Sequence, residues 1–146
     1  MHGGEQENRR RAGTENVAGA VGYAAALRLS LAEMEERNAH LTSMRERLIA
    51  GITERIKYSR LNGHPTRRLP NNVNVTVDYV EGESMLLNLD LKGVAASTGS
   101  ACSSGSLEPS HVLLAMGCKH EEAHGSLRFT LGRYNTEEDE DYLLDI

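Results

Sequence analysis

The longest patterned stretch of the sequence runs from Glu15 to Ile56, where apolar side chains recur every three or four residues. This is the period of an α-helix, and the pattern is interrupted once, at Asn38-Ala39-His40. It predicts one long helix, straight or bent, or two helices in succession, with Thr14 as the N-cap. The apolar positions are Val17, Val21, Ala24, Ala25, Leu27, Leu31 and Met34, then Leu41, Met44, Leu48, Ile52 and Ile56.

The second half of the chain contains two stretches that alternate with a period of two, which is typical of strands with one buried face. They run from Asn72 to Tyr79 and from Leu127 to Leu131. In the second stretch, Arg128 and Thr130 are predicted to point away from the core. The residues predicted to face inward are Val73, Val75, Val77 and Tyr79 in the first stretch and Leu127, Phe129 and Leu131 in the second.

Short helices are predicted around these strands. The segment 83–90 should form one that ends near Gly93, ahead of a small strand over 94–97. Pro109 and Gly117 mark the beginning and end of another helix, and Thr136 is expected to cap a last helix with an acidic first turn.

Together these elements predict an α+β fold, with a long entry helix packed on a small sheet that further helices cover. We expect a loop over residues 1–14, the connecting helix or helices over 15–57, and a small domain over 58–146. A chain of 146 residues is long enough to bury one core of this kind.

Charge and apolar content exclude several classes of partner. The chain carries 16 Lys and Arg against 21 Asp and Glu, a net charge of −5, which opposes binding to nucleic acid or to anionic lipid. The basic run Arg9-Arg10-Arg11 is therefore interpreted as solvated loop charge. No stretch approaches the apolar length of a membrane helix or of a signal peptide, and two cysteines do not make a disulfide framework. These features predict a cytoplasmic protein that binds neither nucleic acid nor a membrane.

The candidate nucleophile is Cys102, which lies in the run Gly99-Ser100-Ala101-Cys102-Ser103-Ser104-Gly105-Ser106. A run of such small residues has little apolar area with which to bury a thiol, so the pattern favours a mobile, presented sulfur. The alternative is an ordinary surface loop with an incidental cysteine. Cys118, with His120 and His124, lacks the paired Cys-x-x-Cys element of a zinc site, and we expect no metal.

Three motifs, taken in order, resemble the C-terminal part of a cysteine desulfurase of the NifS/IscS type. They are Gly3-Gly4-Glu5-Gln6-Glu7 with Arg11-Ala12-Gly13-Thr14-Glu15-Asn16, the run around Cys102 continued by Glu108-Pro109-Ser110-His111, and Ser126-Leu127-Arg128-Phe129-Thr130-Leu131-Gly132-Arg133. The resemblance implies a homodimeric pyridoxal-phosphate enzyme with the fold of an aminotransferase of fold type I. Such an enzyme takes sulfur from L-cysteine as an enzyme persulfide, releases alanine and passes the sulfur to an iron-sulfur scaffold or a sulfur-carrier protein.

The resemblance also assigns roles to three residues. It makes Cys102 the cysteine that carries the persulfide, and Arg128 the arginine that grips the carboxylate of the substrate. Thr14 matches a threonine that reaches the cofactor phosphate in the other subunit. Two plainer readings stay open at this point, Arg128 as a solvated arginine on an edge strand and Thr14 as a simple helix cap.

The sequence departs from the family pattern in two respects. Glu5 stands where the family commonly has a third glycine, and no Ser-x-His-Lys segment supplies the lysine that anchors the cofactor. The chain is therefore expected to be a truncated C-terminal portion, with residues 1–14 ending a large domain, and to be inactive alone. The competing hypotheses are a noncatalytic interaction module and a redox-sensing module that forms a Cys102–Cys118 bond.

Overall fold

The computed structural model describes residues 2–98 and 108–146. Helices and short antiparallel strands are mixed along the chain, so the prediction of an α+β fold is confirmed. In chain order the elements are β1 (Glu5–Gln6), β2 (Arg11–Ala12), α1 (Val17–Ala32), α2 (Met34–Arg55), β3 (Ser59–Leu61), β4 (Asn72–Val77), α3 (Gly82–Leu91), α4 (His111–Ala115), α5 (His120–His124), β5 (Ser126–Thr130) and α6 (Glu137–Asp145).

The chain divides into two units, and the first ends at Glu36. It begins with a hairpin in which β1 pairs antiparallel with β2, where a loop was predicted. Three consecutive residues, Glu7 to Arg9, adopt positive φ and reverse the chain, and the Gly13 amide donates to the Gly4 carbonyl at 2.9 Å. A two-residue ladder is too short to produce an alternating pattern, so periodicity could not predict this hairpin. The predicted boundaries at 14 and 57 stay a prediction.

The predicted helical stretch consists of two helices, separated at Glu33 rather than near Asn38. The N-cap of α1 is Asn16, whose side-chain oxygen accepts from the Gly19 amide at 2.9 Å, so the prediction that Thr14 caps this helix is wrong. Asn and Thr both serve as caps, and the residue that is in register with the first turn takes the role. No residue of α1 is buried, and its apolar side chains are distributed around the helix rather than along one stripe.

The second unit, Arg37–Ile146, contains the core. Its sheet has the order β3-β4-β5 with antiparallel neighbours, and the register pairs Val73 with Phe129 and Val75 with Leu127. The buried face of α2 packs on this sheet. The buried core residues are Leu41, Met44, Leu48, Ile52, Val73, Val75, Leu127, Phe129 and Leu131.

Inward alternation is confirmed for both strands except at Tyr79, which is 91% exposed. β4 ends at Val77, whose amide donates to the Gly125 carbonyl at 2.9 Å, and the chain then turns. Tyr79 has a φ of 68°, so the strand period no longer applies to it.

The other short elements differ from the predictions mainly at their ends. α3 stops before Gly93, which has a φ of 78° as its position in a helix C-cap predicts. Residues 94–97 are not a strand; only Ser97 forms an isolated bridge, to Arg128. Thr136 caps α6 as predicted, by accepting from the Asp139 amide at 3.3 Å.

The last helix is fixed to α2 by charged side chains. Arg47 on α2 donates to Glu140 at 3.0 Å and also pairs with Asp141, while Arg55 pairs with Asp145 at 3.1 Å. Glu140 is 2% exposed, and its second oxygen, Oε1, has no hydrogen-bond partner. Among the residues described, no single helix has the length and apolar content to cross a membrane, although α1 and α2 taken together meet that criterion as a bent pair.

Candidate functional site

Arg128 lies on the face of the sheet opposite the core. Its neighbours on β5, Leu127 and Phe129, are buried, and the pleat therefore directs Arg128 to the other face, across from Asn74 on β4. The residue is half-buried. This face is polar, because Asn62 donates to the side chains of Asn74 at 2.7 Å and Thr76 at 2.9 Å.

Ser97 holds Arg128 from the other side of β5. The two residues exchange both backbone hydrogen bonds, at 3.1 Å from the Ser97 amide and 2.6 Å from the Arg128 amide. The Ser97 hydroxyl donates to the Thr98 carbonyl at 2.9 Å and accepts from Nη2 of Arg128 at 3.4 Å. Ser97 therefore satisfies both backbone groups of Arg128, whose guanidinium keeps most of its five donors for another acceptor.

A cavity of about 380 Å³ opens beside Arg128. Asn62, Asn74 and Ser110 supply polar groups, and Val112, Leu113 and Met116 from the α4 region form an apolar wall. Arg67 and Arg68 also line it, and no carboxylate of the described residues does. A small site with concentrated positive charge and an apolar wall suits a small anionic molecule.

Cys102 lies outside the described residues. The nearest described positions on its two sides are Thr98 and Glu108. Of the described residues near these positions, Ser97 pairs with Arg128, and the buried Ser110 lines the same cavity as Arg128.

Thr14 belongs to the first unit, where it is exposed between Gly13 and α1. Gly13 has a φ of 87°, which a residue with a side chain rarely adopts. Because Asn16 caps the helix, capping does not occupy the Thr14 hydroxyl. Its predicted contact with a cofactor phosphate stays a prediction.

Cys118, His120 and His124 lie around α5. Cys118 is half-buried and forms no disulfide with any described residue, and the rings of His120 and His124 are 5.9 Å apart. Within residues 2–98 and 108–146, no cluster of three His, Cys, Asp or Glu side chains could hold a metal ion. The expectation of no metal stays a prediction.

The arginines at the β3–β4 connection, Arg67 and Arg68, line the cavity although neither was predicted as a site residue. Arg45 on α2 is 5% exposed and donates to the carbonyls of Arg68 at 3.4 Å and Leu69 at 3.0 Å. Arg68 itself donates from Nε to the Asn72 carbonyl at 3.2 Å and from Nη2 to the Asn62 carbonyl at 3.3 Å. Burial lowers the pKa of Arg68, and the neighbouring Arg45 charge lowers it further. The turn signal at Asn62-Gly63-His64-Pro65 predicted the position of the connection. No periodic pattern of residues predicted that the arginines of this connection line the site.

The sequence profile of the family described as Aminotransferase class-V matches residues 2–143. The chain is 60% identical over 146 residues to a protein of Methanosarcina thermophila named cysteine desulfurase IscS, covering all of this chain and 36% of that protein. It is 47% identical over 144 residues to the cysteine desulfurase NifS of Azotobacter vinelandii, covering 99% of this chain and 36% of the relative. The chain thus spans little more than a third of the length of these curated relatives.

Two solved structures resemble the fold closely. One is described as a NifS-like protein, with a TM-score of 0.81 and 33% identity, covering 99% of this chain and 36% of the other. The second is a NifS-like protein from Rickettsia africae, with a TM-score of 0.80, 28% identity and coverages of 99% and 37%.

Proposed function

Because this chain belongs to the class-V aminotransferase family, we propose that it is part of a cysteine desulfurase. In this proposal, L-cysteine is the substrate, alanine is the product, and the sulfur is held as a persulfide on Cys102. An iron-sulfur scaffold or a sulfur-carrier protein receives the sulfur, and the complete protein works as a homodimer in the cytoplasm.

The observation that carries the proposal is the setting of Arg128. Ser97 satisfies both of its backbone groups, and Arg128 lines a cavity that no carboxylate of the described residues lines. An arginine in this position can bind a substrate carboxylate through two parallel hydrogen bonds. The paired backbone and the cavity both argue against the alternative that Arg128 is a solvated surface arginine. Binding the carboxylate at one fixed point would hold the rest of a small amino acid in one orientation.

The residues present fit one contact to pyridoxal phosphate and one contact to its amino-acid substrate. Arg128 is available to the substrate carboxylate, and Thr14, with its hydroxyl free of capping, to a phosphate in the partner subunit. The third contact, the anchoring lysine, is not matched by Lys57, Lys92 or Lys119, which are all exposed and stand outside any Ser-x-His-Lys context. When bound, this cofactor supplies an electron sink for the amino acid.

The chain itself supplies the sulfur acceptor. The thiolate of Cys102 forms a sulfur–sulfur bond with the substrate sulfur while the carbon–sulfur bond of the substrate breaks. The electron pair of the broken bond remains with the carbon, which takes up a proton and leaves as alanine. The extra sulfur stays on Cys102 until a second thiolate removes it.

The test uses a longer protein that carries these residues together with a lysine-bearing segment. Incubated with L-cysteine and pyridoxal phosphate, it is expected to release alanine, and the peptide containing Cys102 is expected to gain the mass of one sulfur atom. Cys102→Ser should abolish the mass gain and the turnover, and Cys118→Ser, the matched control, should leave both intact.

The chain of 146 residues alone is expected to show no sustained alanine release under the same conditions, since no lysine of the chain fits the anchor. Turnover by the longer Cys102→Ser variant at the rate of the unsubstituted protein would refute the proposal. A reversible Cys102–Cys118 disulfide as the sole modification of either thiol would instead favour a redox-sensing function.

A further inference from the structure

Asn74 is the residue directly opposite Arg128 on the neighbouring strand, and it lines the same cavity. Side chains that oppose each other across an antiparallel pair have Cβ atoms about 4.5–5.5 Å apart. Asn74 is half-buried on the polar face of the sheet. An amide therefore stands beside the arginine that is proposed to bind the substrate carboxylate.

Asn62 determines which end of the Asn74 amide is free. Its Nδ2 donates to Oδ1 of Asn74 at 2.7 Å and to Oγ1 of Thr76 at 2.9 Å. Oδ1 of Asn74 is thus occupied, and Nδ2, which carries two protons, is the other end of the same amide. Within residues 2–98 and 108–146, no acceptor binds this Nδ2. A donor on the cavity lining is therefore open to a ligand.

The burial of Asn62 fixes this orientation. Asn62 is 5% exposed and Thr76 is fully buried, so both amide protons of Asn62 need acceptors inside the protein. As the two amides are placed, both protons have one, and the Thr76 hydroxyl donates to Oδ1 of Asn62 at 3.3 Å. With the Asn62 amide turned round, its NH2 would have Thr76 as its only acceptor among the described residues, and one buried proton would be unpaired.

We propose that Asn74 is a substrate-binding residue, which donates from Nδ2 to the carboxylate of L-cysteine next to Arg128. A carboxylate has lone pairs for about four hydrogen bonds, so two donors from an arginine leave room for the amide. An amide at this position adds a donor without neutralising the charge of Arg128, as a carboxylate there would. The inference rests on the proposed function, because it takes L-cysteine as the ligand of Arg128.

Asn74→Asp in the longer, lysine-bearing protein separates substrate binding from a purely structural role. The aspartate keeps an oxygen that accepts from Asn62, but it replaces the free NH2 with a second oxygen that repels the substrate carboxylate and pairs with Arg128. KM for L-cysteine is expected to rise at least about a hundredfold, with kcat within about twofold. A residue that only accepts from Asn62 would leave KM unchanged, and that result would overturn the proposal.

Asn88→Asp is the matched control, because it adds the same charge at an exposed position on α3 that lies outside the cavity. Its KM should equal that of the unsubstituted protein. The unfolding temperature is measured for both variants. If Asn74→Asp does not fold, Asn74→Ser takes its place, since it removes the amide donor without adding charge, and KM is expected to rise about tenfold or more. A folded Asn74→Ser variant with unchanged KM would equally refute the role of Asn74.

A titration without turnover tests the same contact in the 146-residue chain. Acetate is the probe, and the side-chain amide resonances of Asn74 are expected to shift saturably together with the Nε–H resonance of Arg128, while those of Asn88 stay in place. The absence of a saturable shift at Asn74 would overturn the proposal.

The two measurements distinguish this inference from the function on which it rests. An unchanged KM in a variant that still releases alanine would refute the role of Asn74 alone. If the unsubstituted longer protein released no alanine, the proposed function would fail, and the acetate titration would still decide whether Asn74 binds a carboxylate.

Discussion

Ser97 hydrogen-bonds the backbone of Arg128 in the way that a residue of a neighbouring strand would. It satisfies both backbone groups and also gives the side chain one acceptor, at 3.4 Å. This contact restricts the directions that the guanidinium can take, and no carboxylate of residues 2–98 and 108–146 forms an ion pair with it. Ser97 thus positions the side chain, and Arg128 supplies the positive charge.

This arrangement predicts the effect of Ser97→Ala in the complete protein. Loss of the hydroxyl leaves the backbone pairing intact but frees the side chain, so KM for L-cysteine should rise about three- to tenfold with kcat nearly unchanged. Steady-state kinetics measures both constants. Ser84→Ala, which removes a surface hydroxyl bonded to Glu81 at 3.4 Å, is the control. A fall in kcat at constant KM would contradict a positioning role for Ser97.

The fold shifts the pKa values of two adjacent carboxyl groups on α6, Asp139 and Glu140, in opposite directions. Burial raises the pKa of Glu140, against the opposing effect of the hydrogen bond from Arg47. The pKa of Asp139 is lowered, first by the hydrogen bond from the Thr136 amide and then by the one from the Asn135 side chain. A single turn of helix thus contains one group that favours the protonated form and one that favours the ionised form.

The signs give a pH-dependent prediction. Glu140 binds its proton more tightly in the folded state, so its contribution to stability is full below about pH 4.3 and is lost as pH rises through its folded pKa. Glu140→Gln should therefore gain stability relative to the unsubstituted chain as pH rises from about 4 toward neutrality. Thermal unfolding measured across this range tests it. Asp139→Asn should show the reverse trend: it should be less stable than the unsubstituted chain near neutral pH, and this difference in stability should shrink as pH falls below about 3.9. The same dependence of stability on pH in both variants would rule out these assignments.

At the scale of elements, the joint between α5 and β5 depends on a close approach at Gly125. A Cβ there would lie 2.8 Å from the Val80 carbonyl oxygen and closer still to that of Val77. The Gly125 φ is −82°, so the constraint is space rather than conformation. Because Val77 also donates to Gly125, any displacement disturbs the end of β4.

Gly125→Ala is accordingly expected to lower the free energy of unfolding by about 1–3 kcal/mol, since the backbone must move to admit a methyl group. Denaturant unfolding measures the loss. Gly132→Ala is a matched control, because its Cβ would make only an ordinary contact at 3.6 Å with Asn135. Equal stability of the two variants would show that the backbone between α5 and β5 can move to admit the methyl group at little cost in free energy.

The elements also mark the limits of what the pattern of residues predicts. Alternation located β4 and β5 and the inward residues Val75 and Phe129, because burial on one face imposes a period of two. It failed at Tyr79, where the chain turns after Val77 donates to the Gly125 carbonyl, and at the segment 94–97, where only Ser97 exchanges hydrogen bonds with Arg128. Arg128 could be placed on the outer face in advance, but its pairing with Ser97 and the arrival of Arg68 could not. Both depend on loops that bring together residues far apart in the chain.

At the scale of the whole molecule, the two units differ in how they are stabilised. Every buried apolar residue among those described lies at or after Leu41, within the second unit, whereas α1 in the first unit has none. Burial of apolar area is the main source of stability for a domain of this size.

We therefore expect a chain reduced to residues 34–146, which retains all of α2, to unfold cooperatively with a midpoint within a few degrees of the longer chain. Circular dichroism during heating measures this. Leu48→Ala in the shortened chain provides the positive control, since emptying a fully buried leucine site costs about 2–5 kcal/mol. Loss of the transition on shortening would mean that the first unit contributes to the core of the second.

The exposed apolar surface of α1 has a practical consequence for handling the chain. Val17, Val21 and Leu31 are open to water, so the purified chain should be retained on hydrophobic chromatography resins and should partition into detergent micelles. The version that begins at residue 34 should elute early from the same resin. Ligand titrations are therefore best carried out in detergent-free buffer, where adsorption at this helix does not add a heat of its own.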